Sequence, residues 1–182
     1  MERIKLHNKF FVPCIKAAEI DKAIEAVANN INNDLKGVDT PIFLSVLNGS
    51  FIFTADLMRK LDISSDVVFI KLASYEGTST TGQVKEIMGL TKSVKGRTVV
   101  VVEDIVDTGN TIEELYNILK REGAVDIKIC TLLLKPNSYK KDIKIDYSAL
   151  QIPNDFIVGY GLDYNQLGRQ YKDIYVLDEN QD

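Results

Sequence analysis

The chain has 182 residues, 45% of them hydrophobic and 26% charged, which are the proportions of a soluble globular domain. A net charge of −4 withholds the overall basic field of a nonspecific nucleic-acid binder. Two distant cysteines, Cys14 and Cys130, and a single histidine, His7, argue against Cys or His metal clusters and against His-based triads. The apolar run Phe10 to Ile15 is too short for a signal-peptide core, and no run reaches transmembrane length. The chain reads as cytoplasmic, with no membrane and no nucleic-acid partner expected.

Ile20, Ile24, Val27, Ile31 and Leu35 recur at helical spacing on one face. "PIFLSVL" (41–47) is a continuous apolar run of strand length. Asn48, Gly49 and Ser50 break it, and "FIFTADLMRKL" follows as a helix. "DVVFIKLASY" is a second strand. "EGTSTTGQ" (76–83) has no apolar residue and reads as a long loop. "RTVVVVE" is a strand, "TIEELYNILKREG" a helix that Gly123 can close, and "DIKICTLLLK" a further strand. "SYKKDIKIDYSALQIPND" reads as connection and edge structure, and "FIVGYG" and "DIYVL" as two short strands. Alternating helices and near-continuous apolar strands predict one α/β domain with a mostly parallel central sheet flanked by helices. Ligands of such sheets bind beyond the carboxyl ends of the strands.

The segment "VVVVEDIVDTGNTIEEL" (99–115) lies at such an end. Glu103 and Asp104 follow the valines directly. Asp107, Thr108, Gly109, Asn110 and Thr111 then form a tight loop into a helix. Gly109 allows close backbone approach or a positive φ. N–H groups at a helix N-terminus make an anion site that suits a phosphate monoester. The carboxylates suit ribose hydroxyls, a divalent cation, or both. Unit charges 4 Å apart repel by about 4 kcal/mol at an effective dielectric near 20, so a phosphate beside three carboxylates calls for a cation such as Mg2+. The plainer alternative is a solvated acidic strand end with a capping box at Thr111 and Glu114.

This segment resembles the phosphoribosyl-diphosphate signature of the type I phosphoribosyltransferases. Nearly the whole chain is similar to their hypoxanthine/guanine branch. The resemblance implies a small hood subdomain built from both chain ends and a mobile lid over about residues 74–86, with Ser74 and Tyr75 at its base. It implies that "LNGS" is the pyrophosphate loop, with Asn48-Gly49 at the position of an often-cis peptide bond. Many relatives carry a basic residue where Asn48 stands, which leaves backbone N–H contacts there. It implies further that Lys135 reads a purine 6-oxo group, that Phe156 stacks on the base, and that the backbone of Ile157 faces the base edge. It implies as well that Asp163 orients Mg2+ together with Glu103 and Asp104, and that Arg169 contacts pyrophosphate.

The activity so implied is transfer of 5-phosphoribosyl from phosphoribosyl diphosphate to N9 of hypoxanthine or guanine, with Asp107 as general base, in a homo-oligomer. Two alternatives stand beside it. One is a noncatalytic regulator on the same fold that grips nucleic acid. The other is a transferase for xanthine or a pyrimidine. An acid at position 107 and the lack of a compact basic patch favour the purine enzyme.

Overall fold

A computed structural model describes residues 3–74 and 84–179. The elements in chain order are β1 (Ile4–Leu6), β2 (Lys9–Ile15), α1 (Ala17–Asp34), β3 (Ile42–Leu47), α2 (Phe51–Met58), β4 (Asp66–Ser74), β5 (Val84–Met88), β6 (Thr98–Val106), α3 (Asn110–Arg121), β7 (Asp126–Leu134), β8 (Tyr147–Gln151), β9 (Ile157–Val158) and β10 (Ile174–Leu177). The predicted α/β architecture with a mostly parallel sheet holds. The central sheet runs β5-β4-β3-β6-β7-β8, parallel throughout except for antiparallel β5 at one edge. Among the described residues no helix is long and apolar enough to cross a membrane.

Strand alternation sorts the core into two layers. Ile42, Leu44 and Val46 of β3 and Val99 and Val101 of β6 pack with Ile112, Leu115 and Leu119 of α3. Phe43, Val100 and Val102 turn the other way, onto Ile20, Ile24, Val27 and Ile31 of α1 and Phe53 and Leu57 of α2. The five residues first spaced out in the sequence of α1 are all buried. Gly123 closes α3 with φ +83, and the Ala124 N–H reaches back to the Leu119 carbonyl at 3.0 Å, a Schellman ending.

Two elements differ from the sequence reading. β2 is a strand where the sequence reading marked only a short apolar run, and it contains Pro13. The proline is tolerated beside a register shift between Ile174 and Tyr175 of β10. β1, β2, β10 and β9 form a separate four-stranded antiparallel sheet from the two ends of the described chain. β6 runs three residues past Glu103, since β7 continues to pair with it as far as Val106. The acids at 103 and 104 therefore lie within a strand and not beyond one.

One contact fixes the small sheet to the main body. The α1 N-terminus has no side-chain cap from Lys16. Instead Asp173, just before β10, accepts from the Ala17 N–H at 2.8 Å and from Lys16 Nζ at 2.9 Å. A carboxylate at a helix N-terminus is stabilising. The Lys16 bond first and the Ala17 bond second hold the Asp173 carboxyl below the usual carboxylate range. A depressed acid adds stability above its unfolded pKa and loses it as pH falls through the folded one. Thermal melting of Asp173→Asn should therefore lie below wild type at pH 7, and the gap should narrow as pH falls through and below about 4, the normal aspartate range. A gap that stays constant with pH would assign the effect to packing.

Candidate active site

The chain turns from β3 through α2 to β4 in one direction, and from β6 through α3 to β7 and β8 in the other. The switch point falls between β3 and β6, where open α/β sheets hold their ligands. Register makes this concrete. β3 and β6 pair only as far as Ser45 and Val102. From Glu103 onward β6 has lost that neighbour and keeps only β7. Two loops flank the gap, residues 48–50 after β3 and 107–109 after β6.

Glu103 and Asp104 are adjacent in an extended strand, so they face opposite sides. Glu103 lines a cavity of about 100 Å³ with Asp107, Thr108, Gly109, Asn110 and Thr111. It is buried, and its Oε2 is without a hydrogen-bond partner. Burial, and secondarily the Asp104 charge, push its carboxyl well above the usual range. Asp104 lies on the other side, against the loop after β3. A Cβ on residue 49 would overlap the Asp104 carboxylate, so glycine is required there. Burial lifts the Asp104 carboxyl to about 6 against the lowering effects of the Ile105 N–H and Arg169, while Asp163 raises it further.

Gly161 completes the packing, since a Cβ there would collide with the Gly49 carbonyl oxygen. The Arg169 guanidinium donates to the Gly161 carbonyl at 2.7 Å and to Asp163 Oδ1 at 2.7 Å. Asp163 Oδ2 also accepts from the Gln166 N–H at 2.7 Å. The cis peptide bond is Leu47–Asn48, one residue before the bond singled out by resemblance. Among the described residues the N–H groups of Asn48 and Gly49 have no backbone acceptor.

Gly109 is the N-cap of α3 at φ +87, and no side chain caps that end. The capping-box alternative therefore falls away, and the first turn's N–H groups stay open to an anion. Gly109 packs under Tyr139 and Lys141. Lys135 is largely buried, and its Nζ lies 3.1 Å from Oδ2 of the half-exposed Asp107. Its N–H bonds the Val106 carbonyl at 2.9 Å. It is not the solvated strand end that lysine usually makes.

Phe156 is 44% exposed and not core. Its ring packs at 6.0 Å on Phe11 and edge-on at 5.7 Å to Tyr164. These neighbours belong to the small sheet and its connecting loop. Ile157 is buried in β9. The Ser74 backbone pairs with Val84, whereas Tyr75 and the loop to Gln83 lie outside the described residues. Among those described, no group of three His, Cys, Asp or Glu forms a protein cage for a metal.

Sequence reasoning missed three hydroxyls under the first loop. Ser45 Oγ lies 2.8 Å from both Ser50 Oγ and Thr54 Oγ1. All three residues are buried. The available signal was a serine inside an otherwise apolar strand.

Residues 15–165 match the phosphoribosyl transferase domain family. The chain is 38% identical over 175 residues to the hypoxanthine-guanine phosphoribosyltransferase of Streptococcus pneumoniae, covering 96% of this chain and 97% of that one. A crystal structure of a Staphylococcus aureus hypoxanthine phosphoribosyltransferase superposes with TM-score 0.86 at 32% identity, over 92% of this chain and 91% of that one. The hypoxanthine phosphoribosyl transferase of Trypanosoma cruzi, studied for the role of its C-terminal region in oligomeric state and activity, superposes with TM-score 0.87 at 34% identity, over 96% and 95%. The open helix end after β6, the paired acids at the switch point and the length of these matches agree: this chain belongs to the phosphoribosyl transferase domain family.

Proposed function

We propose that this protein is a purine-salvage transferase, moving 5-phosphoribosyl from phosphoribosyl diphosphate to N9 of hypoxanthine or guanine and releasing pyrophosphate. The observation that carries this reading is the buried Glu103 and the half-buried Asp104 facing two anion-ready loops across the β3–β6 gap. In this reading one domain serves the reaction. The small antiparallel sheet is its hood, and residues 74–86, with Ser74 and Tyr75, are its lid, which keeps water from competing as acceptor.

Thr108, Gly109, Asn110 and Thr111 hold the 5-phosphate at the open end of α3. The free N–H groups of Asn48 and Gly49 take the pyrophosphate, with Arg169 beside them. Glu103 and Asp104 approach the sugar from opposite sides, and their charge suits a ribosyl ring that becomes cationic as its bond to pyrophosphate breaks. Phe156 stacks on the base, the backbone of Ile157 meets its edge, and Lys135 donates to the 6-oxo group. Asp107 accepts the proton that leaves the purine as the bond from N9 to C1 of the ribose forms. The Lys135 contact aims Asp107 before the base arrives.

Magnesium usually keeps several waters and binds through one or two carboxylates plus substrate phosphates. Asp104, against Gly49, and Asp163, tied through Arg169 to the Gly161 that packs on the same glycine, fit that pattern, since among the described residues no group of three such ligands forms a cage; Glu103 would approach from the other side of the strand. A Mg2+ held there would neutralise the diphosphate as leaving group.

Pyrophosphate release with phosphoribosyl diphosphate, Mg2+ and each of hypoxanthine, guanine and xanthine tests the reading. Turnover is expected with at least one of the first two, and no turnover with any purine would overturn it. Asp107→Asn should lower kcat by about 10²–10⁴-fold, the usual span for a general catalyst, and leave the Kd for phosphoribosyl diphosphate within a few fold. An equal loss of binding would make Asp107 architectural. Lys135→Ala should raise the purine KM about ten- to hundred-fold, the scale of one charged hydrogen bond, with little change for the diphosphate sugar.

The chain is further proposed to self-associate. By register Val67 and Phe69 of β4 share a face with Phe43 and Ser45. Both are exposed, as is Phe51 at the start of α2. A second copy would cover this strip. Light scattering should give at least a dimer, and Phe69→Glu should shift it toward monomer. A wild-type mass of one chain would refute this.

A further inference from the structure

The hydroxyls of Ser45, Ser50 and Thr54 form one chain of hydrogen bonds whose direction is forced. Ser50 Oγ donates its proton to the Val46 carbonyl at 2.6 Å. It can therefore only accept from Ser45 Oγ at 2.8 Å. Ser45 has then used its own proton, so it accepts from Thr54 Oγ1 at 2.8 Å. The order is Thr54 to Ser45 to Ser50 to the Val46 carbonyl, running from α2 through β3 into the corner before the helix.

Stability does not account for this arrangement. Each buried hydroxyl loses its hydration and regains about one hydrogen bond, for a small net gain. Ser45 is fully buried on the same face of β3 as the buried Phe43, a place that an alanine would suit. What the relay supplies is geometry. Asn48 is exposed and Gly49 has no side chain, so no apolar anchor holds the loop. The relay holds it from below, while Asp104 and Gly161 flank Gly49. Those constraints aim the unpartnered N–H groups of Asn48 and Gly49.

We propose that Ser45, Ser50 and Thr54 are positioning residues for pyrophosphate, fixing the Asn48–Gly49 amides that receive the leaving group. The proposal rests on the reading of this loop as the pyrophosphate site. A displacement of about 1 Å in such donors can cost on the order of 10²-fold in rate.

The test is calorimetric binding of magnesium pyrophosphate and, separately, of inosine monophosphate, which has no pyrophosphate group to place in this loop. Ser45→Ala and Thr54→Val should raise the pyrophosphate Kd by roughly tenfold, on the scale of one lost hydrogen bond, and leave the nucleotide Kd within about twofold. Thr54→Ser keeps the hydroxyl and should restore pyrophosphate binding. Equal weakening of both ligands, no weakening of either, or failure of Thr54→Ser to restore binding would each overturn the relay. Should Ser45→Ala not fold, the near-isosteric Thr54→Val and its Thr54→Ser control decide alone. A wild-type chain that binds neither ligand overturns the transferase reading itself, and the relay with it.

Discussion

The structure turns on the contact between Gly49 and Asp104. Beyond Ser45 and Val102 the strands β3 and β6 no longer pair, because their chains leave toward opposite halves of the sheet. A gap in the middle of a sheet exposes backbone groups that must be satisfied. Here the loop after β3 folds back so closely that its backbone touches the Asp104 carboxylate, and position 49 tolerates no side chain. Gly161 then closes on the same backbone from the far side. The loop after β3, the acids of β6 and the segment before β10 therefore meet through contacts between unadorned backbone. Altering one displaces the others.

That closeness has an electrostatic cost. Two carboxylates sit where burial lifts both above their ordinary range, and the local sequence offers no cation. The fold brings two from elsewhere. Arg169 stands near Asp104 and grips Asp163. Lys135, at the end of β7, reaches Asp107. Neither reaches Glu103, whose Oε2 stays unpartnered. A buried acceptor left unsatisfied is expensive, and such costs gather where a ligand later supplies the missing partner.

Much of this was legible from residue order. Apolar runs marked the inner strands, since strands buried on both faces need no alternation. The α1 and α3 stripes followed helical spacing. The loop 107–111 announced a helix N-terminus. The illegible parts are those that depend on distant partners. The α1 cap comes from Asp173, 156 residues away from Ala17. β6 runs past Glu103 because β7 pairs that far, so two acids read as the end of a strand lie within it and face opposite sides. Ser45 went unremarked inside an apolar run, and its meaning appears only when Ser50 and Thr54 come beneath it. β2 pairs with β10 near the other end of the chain, across a register shift beside Pro13, and no local pattern reports such a partner.

The two ion pairs at the gap bear on how the proposed reaction is switched on. Without ligand, Asp107 holds Lys135 and Asp163 holds Arg169. Lys135 is largely buried and Arg169 partly so, and removing the partner of such a cation is unfavourable, whereas replacing that partner need not be. A purine oxo group can take up Lys135, and a pyrophosphate can take up Arg169. Each exchange frees a carboxylate, Asp107 for the base and Asp163 for the metal side. Either ligand then pays only the difference between two partners for the same cation. Under the proposed reaction the acids would stay paired with cations until a ligand took those cations over, so each carboxylate would be freed only with its substrate in place.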